Sequence, residues 1–393
     1  MIVLAFALTA SAMTIAACGG GSSSSSSSQT TAGTSSSGGS EAAEVTAAEK
    51  FLGEEASGKP WTNLPDQPVK VPRNKNIWLI SCGQAAAGCA RVTKAGEEAL
   101  KPLVENYGWK LTVYDTKLDP SRQAAGISQA IVAGADAIIP SGTDCSRVKP
   151  QLEEAKEKGI LVISQQALDC NDPSQGETEP LFSYNPSLGP EKTLAETAAK
   201  WGEIQAAWVT ANTDGKANIL SFENNEFAIT NYTIEGFNDY IEQNCSECKV
   251  EAVPFTLADL TGPPLQQKAS SALIKYPDTN VVVTPYDAAA PPVAAAIVAA
   301  QKQGEILHIS VEGLPADQSL IAEEAGQSAD VGVDGRWLTY EAVDAAVRLL
   351  AGQEPVPGGS APGIVDSSNA KPETYYEAPV DYSANYEKDW GVR

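Results

Sequence analysis

From residue 76 onward the chain alternates short, continuously apolar runs with amphipathic segments, and the alternation restarts once. The first runs are NIWLIS (76–81), KLTVYD (110–115), DAIIPS (136–141) and ILVISQ (160–165), with helical spacing at 93–106, 122–133 and 146–158 between them. Runs that stay apolar suit a parallel sheet covered on both faces. In the first helical segment Ala95, Ala99, Leu103 and Tyr107 recur every fourth residue as one buried stripe, and Pro102 is expected to kink it. Gly108, Gly134 and Gly159 each follow a helix, where a left-handed residue can end it. The second set is ANILSF (217–222), KVEAVPF (249–255), NVVVTP (280–285) and ILHISV (306–311), with helices at 189–209, 230–243, 264–275 and about 291–303. ADVGV (329–333) adds a strand, and RWLTYEAVDAAVRLLAG (336–352) a helix that ends at Gly352. The pattern predicts an α/β chain of two doubly wound parallel-sheet lobes. Ligands of open α/β sheets lie beyond the carboxyl ends of the strands, so two such lobes facing each other would enclose one cleft.

The amino terminus carries a different signal. MIVLAFALTASAMTIAA (1–17) has no charged side chain. It is short for the ~30 Å of hydrocarbon a spanning helix must cross, and it suits the apolar part of a secretory signal peptide. It ends on Ile15-Ala16-Ala17-Cys18, which resembles a bacterial lipobox, in which the chain is cut before the cysteine and a lipid is attached to it. The usual Lys or Arg ahead of the apolar run is missing. Residues 18–40 then read as a lipidated cysteine and a flexible Ser/Gly tether, and 41–75 as a short helix and a Pro-rich connector.

Acidic residues outnumber basic ones 50 to 27, for a net charge of −23. Such a surface repels phosphate backbones, so nucleic acid is not an expected partner. Of seven cysteines, six remain once Cys18 is set aside. Export places them in an oxidising compartment where disulfides persist. The sequence leaves their pairing open, while proximity in the coarse fold favours Cys82 with Cys89, Cys145 with Cys170 and Cys245 with Cys248. A single histidine, His308, and a lone CSEC give little support to a zinc site. No metal and no cofactor are expected.

Four segments carry a family resemblance by their order and spacing: YGWKLTVYDTKLDPSRQAAGISQAIVAGADAIIPSGTD (107–144), AKEKGILVIS (155–164), TIEGFNDYI (233–241) and AVDAAVRLLAG (342–352). Together they resemble the type 1 periplasmic binding proteins, the ribose-binding-protein-like solute receptors of ABC importers, over residues 76 to about 352. No helix-turn-helix segment precedes the first strand, which separates the chain from the related sugar-responsive repressors. The resemblance implies an N-lobe of 76–182 plus about 336–364, and a C-lobe of 186–333 plus part of the 365–393 tail. Three passages between them would act as a hinge that closes on ligand. It also implies a monomeric, lipid-anchored extracytoplasmic protein that captures a small polar ligand, a sugar or polyol first, for the permease subunits of an ABC transporter. A receptor for a membrane sensor kinase would share the same fold, anchor and cleft. A glycoside-acting enzyme would need carboxylates such as Asp144, Asp287 and Glu312. The chain has no GxSxG, HExxH or P-loop, so the expectation is a binder and not an enzyme.

Strand ends and the loops after them supply the candidate contacts. They are Gln84, Asp144 and Gln166 on the N-lobe, Asn225, Tyr286, Asp287 and Glu312 on the C-lobe, and Asp334 and Trp337 near the second crossover. Carboxylates and amides offer directed hydrogen bonds to hydroxyls, while Tyr286, Phe227 and Trp337 offer faces for stacking. Gln166 is preferred over Gln165 because sugar-binding relatives place an aspartate there, followed by an arginine where this chain has Ala167. Thr233 likewise stands where pentose-binding relatives carry an arginine. Helix capping by Asp144 and Asp287, and a core position for Trp337, stay open as alternatives.

Overall fold

A computed structural model describes residues 37–61, 64–189 and 193–393. The apolar leader, Cys18 and the tract up to residue 36 lie outside the described residues. Helix α1 (Ser37–Glu55) leads through the proline-rich connector to β1 (Asn76–Ser81), α2 (Ala87–Tyr107), β2 (Lys110–Asp115), α3 (Pro120–Val132), β3 (Ala137–Pro140), α4 (Cys145–Glu157) and β4 (Leu161–Val162). Then follow α5 (Leu194–Asn212), β5 (Asn218–Glu223), α6 (Ala228–Asn244), β6 (Lys249–Pro254), α7 (Pro264–Lys275), β7 (Val281–Val283), α8 (Ala290–Ala299), β8 (Leu307–Glu312), α9 (Pro315–Ala322), β9 (Ala329–Gly332) and α10 (Gly335–Leu350). A last strand, β10 (Gly363–Asp366), and helix α11 (Tyr382–Asp389) end the chain. Gly38–Arg393 forms one compact unit.

The strands form two sheets, ordered β2-β1-β3-β4 and β10-β9-β8-β7-β5-β6, with every pair parallel except β10 on β9. In each sheet the chain starts one strand in from an edge, takes that edge and then reverses, as in doubly wound folds. Both faces are covered, which explains the unbroken apolar runs. In β1, Ile77 and Leu79 join the cluster under α2 and α10, and Ile80 joins the cluster under α3 and α4. In β7, Val281 and Val283 face α5 and α6, while Val282 faces α7 and α8.

Local rules account for most element ends. Gly108, Gly134 and Gly159 take φ of 70, 66 and 68°, the left-handed conformation expected after a helix. Helix α5 begins at Leu194 rather than at 189, because Thr193 and Glu196 form a reciprocal capping box. Pro102 does not kink α2, which carries it on a half-exposed side without leaving helical geometry. The break falls in α4 instead, at Val148 (φ −134°, ψ 18°), two residues before Pro150. Helices α5 and α6 cross so closely that a Cβ on Gly202 would strike the Thr233 carbonyl, and one on Gly236 the Ala199 carbonyl.

The chain passes between sheets near residues 185–189 and again at Val333–Asp334. Helix α10 then packs on the first sheet through Trp337, Tyr340, Val343 and Val347. Two further passages follow, since β10 pairs with β9 of the second sheet and α11 returns Tyr382, Tyr386 and Trp390 to the core of the first. At the other end, α1 lays Ala48, Phe51 and Leu52 on the second sheet's core, and the connector carries Val69 and Val71 to the first. Three disulfides join Cys82 to Cys89, Cys145 to Cys170 and Cys245 to Cys248. Among the described residues no helix is long and apolar enough to cross a membrane.

Candidate functional site

The reversal of strand order falls between β1 and β3 in the first lobe and between β5 and β7 in the second, and the loops after these strands face the other lobe. Three observations show that the lobes meet there. Arg147 of α4 donates to the Glu226 carbonyl at 2.9 Å, and the Tyr232 hydroxyl of α6 donates to Asp172 at 2.8 Å. A side chain on Gly88, inside the Cys82–Cys89 loop, would lie 4.0 Å from Glu312 Oε1 at the end of β8.

On the C-lobe wall three rings form a corner. Tyr286 stands edge-on to Phe227 at 6.3 Å and tilted against Phe255 at 5.9 Å. Its hydroxyl is buried and has no partner among the described residues, and burial followed by the nearby Glu312 and Glu226 carboxylates raises its pKa. Glu312 holds φ of 130°, a conformation that L-residues rarely adopt and that typically marks a functional or tightly constrained position. Burial pushes its carboxyl pKa up to about 7, against the opposing pull of Arg91.

On the N-lobe wall, Asp144 stands at the N-cap of α4 without capping it; its Oδ1 accepts from the Leu168 N–H at 3.0 Å. Burial raises its pKa against that hydrogen bond. Gln166 takes φ of 57° and is half-buried, while Gln165 is turned into the lobe, where it accepts from Ser141 Oγ at 2.6 Å. Gln165 also lines an internal space of only about 10 Å³. Gln84 and Asn225 are exposed, and Asn224 beside the latter ties the Glu226 loop to the Phe255 carbonyl.

Three expected contacts occupy other positions. Asp287 has no exposed surface, and its Oδ2 accepts from the Leu314 N–H at 2.6 Å rather than capping a helix. Trp337 is fully buried in the N-lobe core, stacked on Tyr382 at 5.1 Å, so it is an anchor and offers no face to a ligand. Asp334 is 2% exposed, and both its oxygens are filled. Oδ1 accepts from Arg91 and the Arg336 N–H, both at 3.1 Å, and Oδ2 from the Ala378 N–H and the Tyr382 hydroxyl, both at 3.0 Å. It clamps α2, α10 and the C-terminal tail together where the chain re-enters the first lobe.

Arg91 escaped the sequence reading. It also donates to the Tyr376 carbonyl, and its guanidinium lies 4.5 Å from the Tyr375 ring centre. The one available signal was an arginine two residues beyond Cys89 in an acid-rich chain. A cavity of about 270 Å³ opens at the seam, lined among others by Asp169, Asp172, Asn185 and Tyr232.

The model of the periplasmic binding protein domain matches residues 91–354 of this chain. The chain belongs to that family. A search of curated proteins finds no match. Among solved structures, the periplasmic binding protein fold seen here matches an ABC transporter periplasmic solute-binding protein from Actinobacillus succinogenes with bound D-allose at a TM-score of 0.63 and 17% identity, covering 76% of this chain and 99% of that one. It matches a 5-methylthioribose transporter solute-binding protein from Thermotoga lettingae at a TM-score of 0.64 and 20% identity, over 82% and 100% of the two chains. It also matches the XylFII–LytSN complex at a TM-score of 0.62 and 16% identity, over 76% and 100%. At these identities the likeness carries the fold.

Proposed function

We propose that this periplasmic binding protein captures a sugar or polyol between its lobes and delivers it to the permease of an ABC transporter, as a monomer held at the membrane by a lipid on Cys18. The observation that carries the reading is the pairing of an aromatic corner, Phe227–Tyr286–Phe255, with the half-buried carboxyl of Glu312 at the end of β8, next to the reversal point of the C-lobe sheet. An aromatic face beside directed acceptors suits a ring that carries hydroxyls. Gln84, Asp144, Gln166 and Asn225 would supply the opposing and flanking polar contacts. The bound sugars of similar solved structures support the ligand class, and the lipobox-like Cys18 supports the anchor. No catalytic step is proposed.

A thermal-shift screen of the mature chain over sugars, polyols, aromatic acids and amino acids tests this. A hit in the sugar or polyol group that Glu312→Gln weakens at least tenfold supports it, since a ligand bound only to the folded state stabilises that state by mass action. Melting unmoved by every sugar and polyol overturns it. One observation favours a second role for the same cleft. The likeness to the XylFII–LytSN complex fits a receptor that passes its liganded state to a membrane sensor. Co-purification of the liganded protein with permease subunits or with a sensor separates the two.

A further inference from the structure

Beneath the cleft wall of the C-lobe, three carboxylates from separate elements converge. They are Asp287 from the 3-10 turn Asp287–Ala289, Asp317 from the first turn of α9, and Asp330 from β9. One oxygen of each lies within 4.8 Å of the others, and all three side chains are at most 1% exposed. Backbone donors fill one oxygen on two of them, Leu314 N–H on Asp287 and Gly313 N–H on Asp330. Among the described residues, Asp287 Oδ1, Asp317 Oδ1 and Asp330 Oδ2 have no donor. The buried arginines do not help, since Arg91 pairs with Asp334 and Arg348 with Asp344 and Asp389. Asp287 and Asp330 hydrogen-bond to each other, and Gln327 hydrogen-bonds to Asp317, yet no basic side chain faces the three among the described residues. Three crowded carboxylates in a dry interior are too unfavourable to stand without a counter-charge or protons.

A second observation lies outside the carboxylates. Ser310 is fully buried on β8 directly opposite Asp330, and its hydroxyl has no partner among the described residues. The Gln327 amide, 2% exposed, lies against Asp317, and its Oε1 is also without a donor. A shared proton bridges two oxygens, whereas a cation can take one oxygen from each of the three carboxylates. The donor set is all oxygen, because both ring nitrogens of the nearby His308 are engaged, with Thr284 Oγ1 at 3.1 Å and the Gly326 carbonyl at 3.0 Å. A dry, all-oxygen site favours Ca²⁺ over Mg²⁺, which sheds its waters reluctantly and demands near-ideal octahedral geometry.

We propose that Asp287, Asp317 and Asp330, with Ser310 beside them, form a buried Ca²⁺ site. The ion would tie the β7 turn, the β8–α9 loop and β9 together under the cleft, fixing the Gly313–Leu314 backbone next to Glu312. This is independent of which solute the cleft takes. The test uses the full mature chain, stripped with a chelator and then equilibrated with Ca²⁺ or Mg²⁺. One Ca²⁺ per chain by elemental analysis, a melting temperature that climbs with added Ca²⁺, and a smaller response to Mg²⁺ are expected. Asp317→Asn is expected to weaken Ca²⁺ binding at least 100-fold while the stripped variant melts no lower than the stripped parent. Ser310→Ala is expected to weaken it less than tenfold. Should Asp317→Asn not fold, Tb³⁺ luminescence on the parent protein, displaced by Ca²⁺, reads the same site. A stripped parent that takes up no Ca²⁺ at millimolar concentration, melts independently of added cation and gives no displaceable Tb³⁺ signal overturns the proposal. The cluster would then be held by protons.

Discussion

The two lobes solve the same electrostatic problem in opposite ways. In the N-lobe, buried acids are matched to buried bases: Arg348 donates to Asp344 at 2.7 Å and to Asp389 at 3.2 Å, with Trp390 Nε1 on Asp344 at 2.8 Å. Arg91 does the same for Asp334 at the start of α10. In the C-lobe, Asp287, Asp317 and Asp330 share an equally dry site with no arginine. A matched cluster fixes geometry permanently, as suits helices and a tail that must stay docked. An unmatched cluster leaves its charge to be supplied from outside, and it sits under the wall where ligand contacts are proposed.

The contrast predicts opposite signs for neutralising mutations. Arg348→Met removes the base from two buried carboxylates and is expected to lower stability by about 3–5 kcal/mol in denaturant unfolding. Asp330→Asn removes one of three crowded charges and, in chelator at neutral pH, is expected to leave stability unchanged or raised. Its retained Oδ1 can still accept from the Gly313 N–H. If both variants lose stability alike, the distinction between the lobes fails.

Glu341 is the exception inside the matched lobe, and it sharpens the comparison. This fully buried α10 carboxyl has the Tyr184 hydroxyl at 3.2 Å and the Gly358 N–H as hydrogen-bond donors, and no arginine. Burial pushes its pKa up to about 7 from an ordinary 4.5. Between those values the folded chain holds a proton that the unfolded chain releases, so this group's contribution to stability falls as pH rises through the window. Glu341→Gln keeps the acceptor and abolishes the titration. The variant should be more stable than the parent at pH 8, by up to about 3 kcal/mol, with the gap closing towards pH 4.5. Parallel curves for the two proteins across pH 4.5–8 would show that Glu341 stays charged.

Much of this architecture was readable because it is local. Strand β1, strand β2 and helix α7 fall on the residues that periodicity gives, and each disulfide joins cysteines at most 25 residues apart. The clamp around Asp334 was not readable. Its ties join Arg91 to Asp334 across 243 residues and Arg91 to Tyr376 across 285, and nothing in either segment announces the other. The tail's proline-broken stretch also hides β10 and α11, whose order comes from the surfaces they land on. In the candidate site, position along a strand was legible and side-chain direction was not. Tyr286 and Asp287 are neighbours in sequence, yet the first meets an aromatic corner and the second a buried acid cluster. Trp337 satisfies the rule for a stacking residue as well as the rule for a core anchor, and only Tyr382, 45 residues on, decides between them.

The smallest expected effect tests the seam between the lobes themselves. Tyr232 and Asp172 lie on opposite sides of the cleft, and their 2.8 Å hydrogen bond exists only while the lobes are together. Burial, then the bond to Asp172, pushes the tyrosine pKa up to about 12, so the phenol stays a donor throughout the neutral range. Because the bond belongs to the closed arrangement alone, removing it acts on the closing equilibrium and leaves each lobe's own packing untouched. Tyr232→Phe should therefore leave denaturant stability within about 0.5 kcal/mol of the parent while weakening ligand binding by about fivefold, the equivalent of one ordinary hydrogen bond. Scattering should show the ligand-free variant more expanded than the parent. An affinity that falls only in step with global stability would assign the Tyr232–Asp172 bond to the fold rather than to closure.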